Sequence, residues 1–171
     1  MILVGGLPGS GKTTFAKALA ESLGIRHINS DEVRAMNGLL GDYSADTKSK
    51  VYELMQQQVE AWIRAGESVV IDATFYLQKH REDFINLSNR FDLSLFFFLI
   101  EADEGAIRER VSRRRPYTEA DFAVYRKVKQ EYEPLNIPYH SLNSSDLKLE
   151  DMLEKACRYL RQKKSNGISG D

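Results

Sequence analysis

"GLPGSGKTT", residues 6 to 14, decides how the rest of this chain reads. It follows the apolar run Ile2 to Val4, and after it Phe15, Ala16, Leu19 and Leu23 recur at helical spacing until Gly24 closes the segment. A strand therefore precedes the motif and a helix follows it. Two glycines five apart, then lysine and threonine, in that setting make the P-loop pattern. Its glycines let backbone N–H groups turn inward around a phosphate, and the helix N-terminus adds the positive end of its dipole. Gly6, Leu7, Pro8, Gly9, Ser10, Gly11, Lys12, Thr13 and Thr14 are thus the expected triphosphate cradle. Within it Lys12 neutralises the transferred phosphate, and the Thr13 hydroxyl is expected to ligate Mg²⁺.

Outward from the motif, strand-like runs at about 1–5, 25–28, 67–71, 93–100 and 137–142 alternate with helical patterns. That alternation predicts a parallel sheet with crossover helices. One helix is expected over about 46–64, with Val51, Leu54, Met55, Val59, Trp62 and Ile63 on its inner face, and the last over about 147–162. "LFFFLI", 95–100, is too short to span a bilayer and reads as a strand buried on both faces. Pro138 places the last strand at the sheet edge. The fold expected is an α/β P-loop NTPase, five mainly parallel strands in the order 2-3-1-4-5 with helices on both faces.

Residues 103 to 133 read as an arginine-rich helical hairpin: one helix through Ile107 and Val111, then "RPYT", then a helix with Phe122, Tyr125, Val128 and Tyr132. Pro116 separates the two, and Thr118 with Asp121 resembles a capping box. The whole is one domain over 1–163 with this hairpin as a lid, and 164–171 is expected to be a mobile tail.

The 171 residues suit one α/β domain, and 42% hydrophobic with 29% charged residues is a soluble globular mixture. With 24 basic against 25 acidic side chains, no surface for gripping long nucleic acid shows in the totals. Ile2 to Val4 is too short for a signal-peptide core, so a cytoplasmic protein is expected. The single cysteine, Cys157, reads as a buried, inert thiol. A guanine-reading Asn-Lys-x-Asp is absent; "NSSD" at 143–146 lacks the lysine. A small P-loop domain with a basic helical hairpin suits a kinase, whose lid must exclude water from the triphosphate.

In an open parallel sheet the ligand lies beyond the carboxyl ends of the strands. Asp31 and Asp72 stand just after the second and third. Transfer to a hydroxyl needs a carboxylate to take the alcohol's proton and a cation to steady the phosphoryl oxygens. Asp31 and Arg34, one helical turn apart, can supply both. The plainer alternative is that Ser30 or Asp31 only caps a helix.

"GLPGSGKTT", "INSDEVR", "VVIDAT" and "RERVSRRR", in this order, resemble the AAA-type P-loop kinases grouped around phage 5′-polynucleotide kinase, with zeta-toxin-type kinases as more distant relatives. The resemblance covers about residues 1–140 and implies ATP and Mg²⁺ as cofactors. It implies Asp31 as general base, Arg34 on the acceptor side, and Asp72 with a lid arginine completing the site. Asp72 reads equally well as a carboxylate holding a Mg²⁺ water. Among Arg108, Arg110, Arg113, Arg114 and Arg115, the pair Arg110 and Arg114 shares a helical face and matches the family's lid arginines. Thr74 is expected to hydrogen-bond nearby. His80 and Arg81 open a helix, where an exposed charge is the default.

The acceptor side should be built from Ala35 to Lys50, where Gly38 and Gly41 suggest flexibility and Tyr43 could stack on a ring or pack on its own helix. A nucleic-acid 5′ end, a short phosphorylated or nucleotide-like molecule, a sugar and an antibiotic stay open as hydroxyl acceptors. The basic lid favours the first, and the near-neutral total charge and lack of room for a phosphatase domain speak against it. A different class also stands: a nucleotide-binding or slow ATPase module acting through a protein partner.

Overall fold

A computed structural model describes residues 1–112 and 122–166, and side chains as far as 163. Strand β1 (Ile2–Gly5) is buried along its whole length and has helices on both sides. Such a strand needs apolar groups on each face. Ile2 and Val4 join Phe15 and Leu19 of α1 (Lys12–Leu23) and Met152 and Ala156 of α7 (Leu149–Asn166). Leu3 turns the other way, toward Val51, Met55 and Val59 of α3 (Ala45–Arg64) and Phe84 and Leu87 of α4 (Gln78–Arg90). Truncating the leucine, isoleucine, methionine or phenylalanine side chains among these to alanine costs about 2–5 kcal/mol.

The other strands are β2 (Arg26–Asn29), β3 (Val69–Asp72), β4 (Phe96–Glu101) and β5 (His140–Asn143). Every pairing is parallel, and the order β2-β3-β1-β4-β5 is the one expected for a P-loop NTPase. Strands start one to three residues later than the apolar runs, because the first apolar residues of a run pack from the preceding loop. Leu95 and Ile137 both do so. Pro138 accordingly stands before β5 and costs no ladder bond, although β5 is the edge strand.

Helix α5 (Glu104–Ser112) and α6 (Phe122–Gln130) form the hairpin's arms. The Arg108 guanidinium lies 4.0 Å from the Phe122 ring centroid, and Lys129 pairs with Glu104 at 3.2 Å. Pro116 and the Thr118–Asp121 box lie outside the described residues. Helix α7 continues to Asn166, four residues past the expected end, so 164–166 are helix and not tail. Cys157 is half-buried against the α1–α7 core, not fully buried. Among the described residues no helix is long and apolar enough to cross a membrane.

Candidate active site

The loop from Gly6 to Gly11 joins β1 to α1 at the carboxyl edge of the sheet. A Cβ at Gly6 would stand 2.3 Å from the Ile100 carbonyl oxygen, so only glycine fits there. Gly11 caps α1 at φ 92° with no side-chain bond to the helix N–H groups, and α1 has no acid in its first turn. Helix N–H groups left in this way, with Lys12 as the first helical residue, favour an anion. The Gly6 N–H donates to the Thr74 carbonyl at 3.3 Å, which ties the loop to the segment after β3.

Asn29 and Asp72 are register partners at the ends of β2 and β3. The Asn29 side-chain amide donates to Asp72 Oδ2, and to Thr13 Oγ1 at 3.3 Å. Its oxygen accepts the N–H groups of Asp31 at 2.9 Å and Glu32 at 3.0 Å. Asn29 is therefore the N-cap of α2 (Ser30–Met36). The plainer reading of "SDEVR" falls with this, since neither Ser30 nor Asp31 is the cap. Asp31 instead rides in the first turn of a helix whose start is bonded to Thr13 and Asp72 together.

Asp72 is fully buried, with His27 Nε2 3.8 Å from its Oδ2. Its Oδ1 has no hydrogen-bond partner among the described residues. A buried carboxylate oxygen without a donor is costly unless something binds it.

Arg34 is 6% exposed. Its Nη1 donates to the Asp42 carbonyl at 2.6 Å and its guanidinium sits 4.6 Å from the Tyr43 ring centroid. Tyr43 thus packs on its own segment. Bonds from the Thr47 hydroxyl and from Ser44 hold the Asp42 carboxyl below its ordinary range. Arg34 fixes the loop between α2 and α3, and it stands on the buried side of α2, one turn from Asp31.

Arg110 reaches across the P-loop. Its Nη1 donates to Ser144 Oγ at 2.8 Å and lies 3.4 Å from the carbonyls of Gly9 and Ser10, while Nη2 donates to the Ser144 carbonyl at 3.1 Å. The Ser144 hydroxyl in turn donates to Ser10 at 2.6 Å. The hairpin is thereby fastened to the phosphate loop through the turn after β5. Arg114 lies outside the described residues.

The family model described as an AAA domain, AAA_33, matches residues 1–135. The chain belongs to this AAA domain family. Curated relatives resemble the chain over only part of their length. An uncharacterized protein of Mycobacterium tuberculosis is 33% identical over 87 residues, 44% of this chain and 18% of that protein. A cytidylate kinase of Methanococcus maripaludis is 39% identical over 69 residues, 36% of this chain and 39% of that enzyme. The chain thus spans well under half the length of either. Among solved structures, the Mycobacterium tuberculosis APS kinase CysC in complex with AMPPNP and APS has a TM-score of 0.71 at 18% identity, covering 94% of this chain and 96% of that one. The shared fold is that of small P-loop kinases.

Asn29, Tyr52, His80, Arg81 and Ser144 carry the site without having been singled out for these roles. Arg81 is fully buried, not exposed. It donates to the carbonyls of Phe75 at 2.8 Å, Tyr76 at 3.2 Å, Glu133 at 3.4 Å and Pro134 at 2.7 Å. His80 is 2% exposed and stacks on Tyr52 at 3.7 Å between centroids. Burial, then the charges of Lys79 and Lys48, push its pKa down to about 4. The Tyr52 hydroxyl accepts the Phe75 N–H at 3.2 Å and bonds Thr74, as expected of that threonine. A periodicity test reveals Arg81, which shares α4's inner stripe with Phe84 and Ser88. Ser144 leaves no such signal.

Proposed function

We propose that the chain is an ATP-dependent phosphotransferase that moves the γ-phosphate to a hydroxyl acceptor. The observation that carries this is the Asn29 bridge, which joins the P-loop hydroxyl of Thr13, the buried Asp72 and the first turn of α2 that bears Asp31. In this reading the amides of Gly9 to Thr13 and the Lys12 ammonium hold the triphosphate. Asp31 accepts the acceptor's proton as the hydroxyl oxygen bonds to phosphorus and ADP leaves.

Thr13 and Asp72 fit Mg²⁺: a hydroxyl and a carboxylate oxygen without a donor are hard ligands on one side of the loop. Among the described residues no three acidic, histidine or cysteine side chains gather as a cage, which suits a Mg²⁺ carried in with its nucleotide. The ion's chemistry, when bound, is to offset charge on the phosphoryl oxygens. In this reading Arg110 steadies the triphosphate from its anchor on Gly9, Ser10 and Ser144, Arg114 is the second lid arginine that the resemblance implies, and Arg34 shapes the acceptor wall.

The test is transfer of label from γ-labelled ATP with Mg²⁺ to 5′-hydroxyl oligonucleotides, nucleosides and sugars. A labelled acceptor supports the kinase. Steady hydrolysis with no acceptor labelled in any class favours the slow ATPase module that works through a partner protein.

A further inference from the structure

Helix α3 starts at the carboxyl edge of the sheet and runs down across β2 and β3. Tyr52, at the start of its buried stretch, bonds Thr74 and Phe75. Lys48 lies four residues earlier on the same face, one turn nearer that edge. Its side chain therefore lies toward that edge and reaches Tyr76 in the segment after β3, on a helix that packs against α2, the helix that carries Asp31.

Lys48 is only half-exposed, and its Nζ donates to the Tyr76 hydroxyl at 3.1 Å with the Tyr76 ring centroid 5.4 Å away. No carboxylate among the described residues forms an ion pair with it. Lys50, two residues on and more exposed, is paired with Glu53 at 2.9 Å. An ammonium has three donors, and Tyr76 takes one. Tyr76 itself is 5% exposed and has a ring contact with the buried His80. The two remaining donors, partly shielded from water beside a neutral hydroxyl, are placed to bind an anionic ligand.

We propose that Lys48, steadied by Tyr76, receives an anionic group of the acceptor, so that the acceptor is a hydroxyl compound bearing a phosphate or a carboxylate. This rests on the kinase reading above. Anchorage at Lys48 fixes one end of such a molecule on α3 and leaves its hydroxyl for Asp31 on the neighbouring α2.

The first experiment needs no turnover. In protein with ¹³C-labelled lysine and the P-loop filled by AMPPNP and Mg²⁺, the Lys48 side-chain resonance, identified by its absence in Lys48→Met, is followed during titration with inorganic phosphate, sulfate and acetate. Saturable shifts of Lys48 are expected, and the order of affinities tells phosphate from carboxylate. A Lys48 resonance that stays put with all three anions overturns the proposal. In the second, transfer is compared within matched pairs, a nucleoside against its 3′-monophosphate and a sugar alcohol against its acid. Lys48→Met should reduce the preference for the charged member about tenfold or more, chiefly through KM, and Lys48→Arg should restore most of it. An unchanged preference overturns the proposal. If no pair is phosphorylated by wild type, the kinase reading fails and the titration alone still decides whether Lys48 binds anions.

Discussion

The Asn29 side-chain amide donates to the Asp72 carboxylate, and the two residues are neighbours in the register of β2 and β3. Through that bond the strand ends, the P-loop hydroxyl and the start of α2 become one rigid unit. Catalytic geometry tolerates little slack, and a shift of ~1 Å can cost ~100-fold in rate.

Replacing Asn29 should therefore do two kinds of damage. Asn29→Ala removes a helix cap, about 1 kcal/mol, and strips a buried carboxylate of its donor, about 1–3 kcal/mol more. Asn29→Asp keeps the cap and sets a second carboxylate against Asp72. Denaturant unfolding at neutral pH should show both variants less stable, and Asn29→Asp should regain stability as pH falls through the carboxylate range.

Asp72→Asn should weaken the Mg²⁺ dependence of nucleotide binding. Titration of a fluorescent ATP analogue with and without EDTA should show a Mg²⁺ enhancement in wild type that is largely lost in the variant. An equal enhancement in both would place Asp72 outside the metal's surroundings.

Arg81 joins the loop after β3 to residues 133–134, where the chain returns from the hairpin. The Glu133 N–H also donates to the Tyr76 carbonyl at 2.9 Å. Arg81→Met takes a donor from the carbonyls of Phe75, Tyr76, Glu133 and Pro134, of which Tyr76 keeps the Glu133 N–H, and should cost about 1–3 kcal/mol. Arg81→Lys should cost less. In the lysine variant, amide exchange should quicken together over 75–78 and 131–135, with the sheet unaffected.

Sheet order, P-loop and the two helices α5 and α6 were legible because each leaves a local pattern: apolar runs, glycine spacing, helical period. The site's connections were not. Asn29 stands inside "INSDEVR", but its two-sided bonding depends on a strand register that no local spacing encodes. Arg81 reads as a surface charge because charged residues are rarely buried, and the carbonyls that meet it come from the turn at Phe75, φ 50°, and from residues 133–134, more than fifty positions away. Ser144 meets Arg110 across 34 residues of sequence.

His80 supplies the pH dependence. Its folded pKa of about 4 lies below the ordinary 6.5, so the unfolded chain binds the extra proton first. Stability is complete above 6.5 and declines as pH falls from there toward 4. Unfolding midpoints across that window should fall for wild type and fall less steeply in His80→Phe, which keeps the stack on Tyr52, while His140, also pushed down by burial, retains part of the dependence.

The most direct single measurement is phosphate transfer by Asp31→Asn beside its affinity for ATP with Mg²⁺. The expected result is a fall in transfer of about 10²–10⁴-fold, the contribution of a general base, with nucleotide affinity within about threefold of wild type. Transfer that survives the substitution would contradict the role of Asp31 and leave it a residue in the first turn of α2.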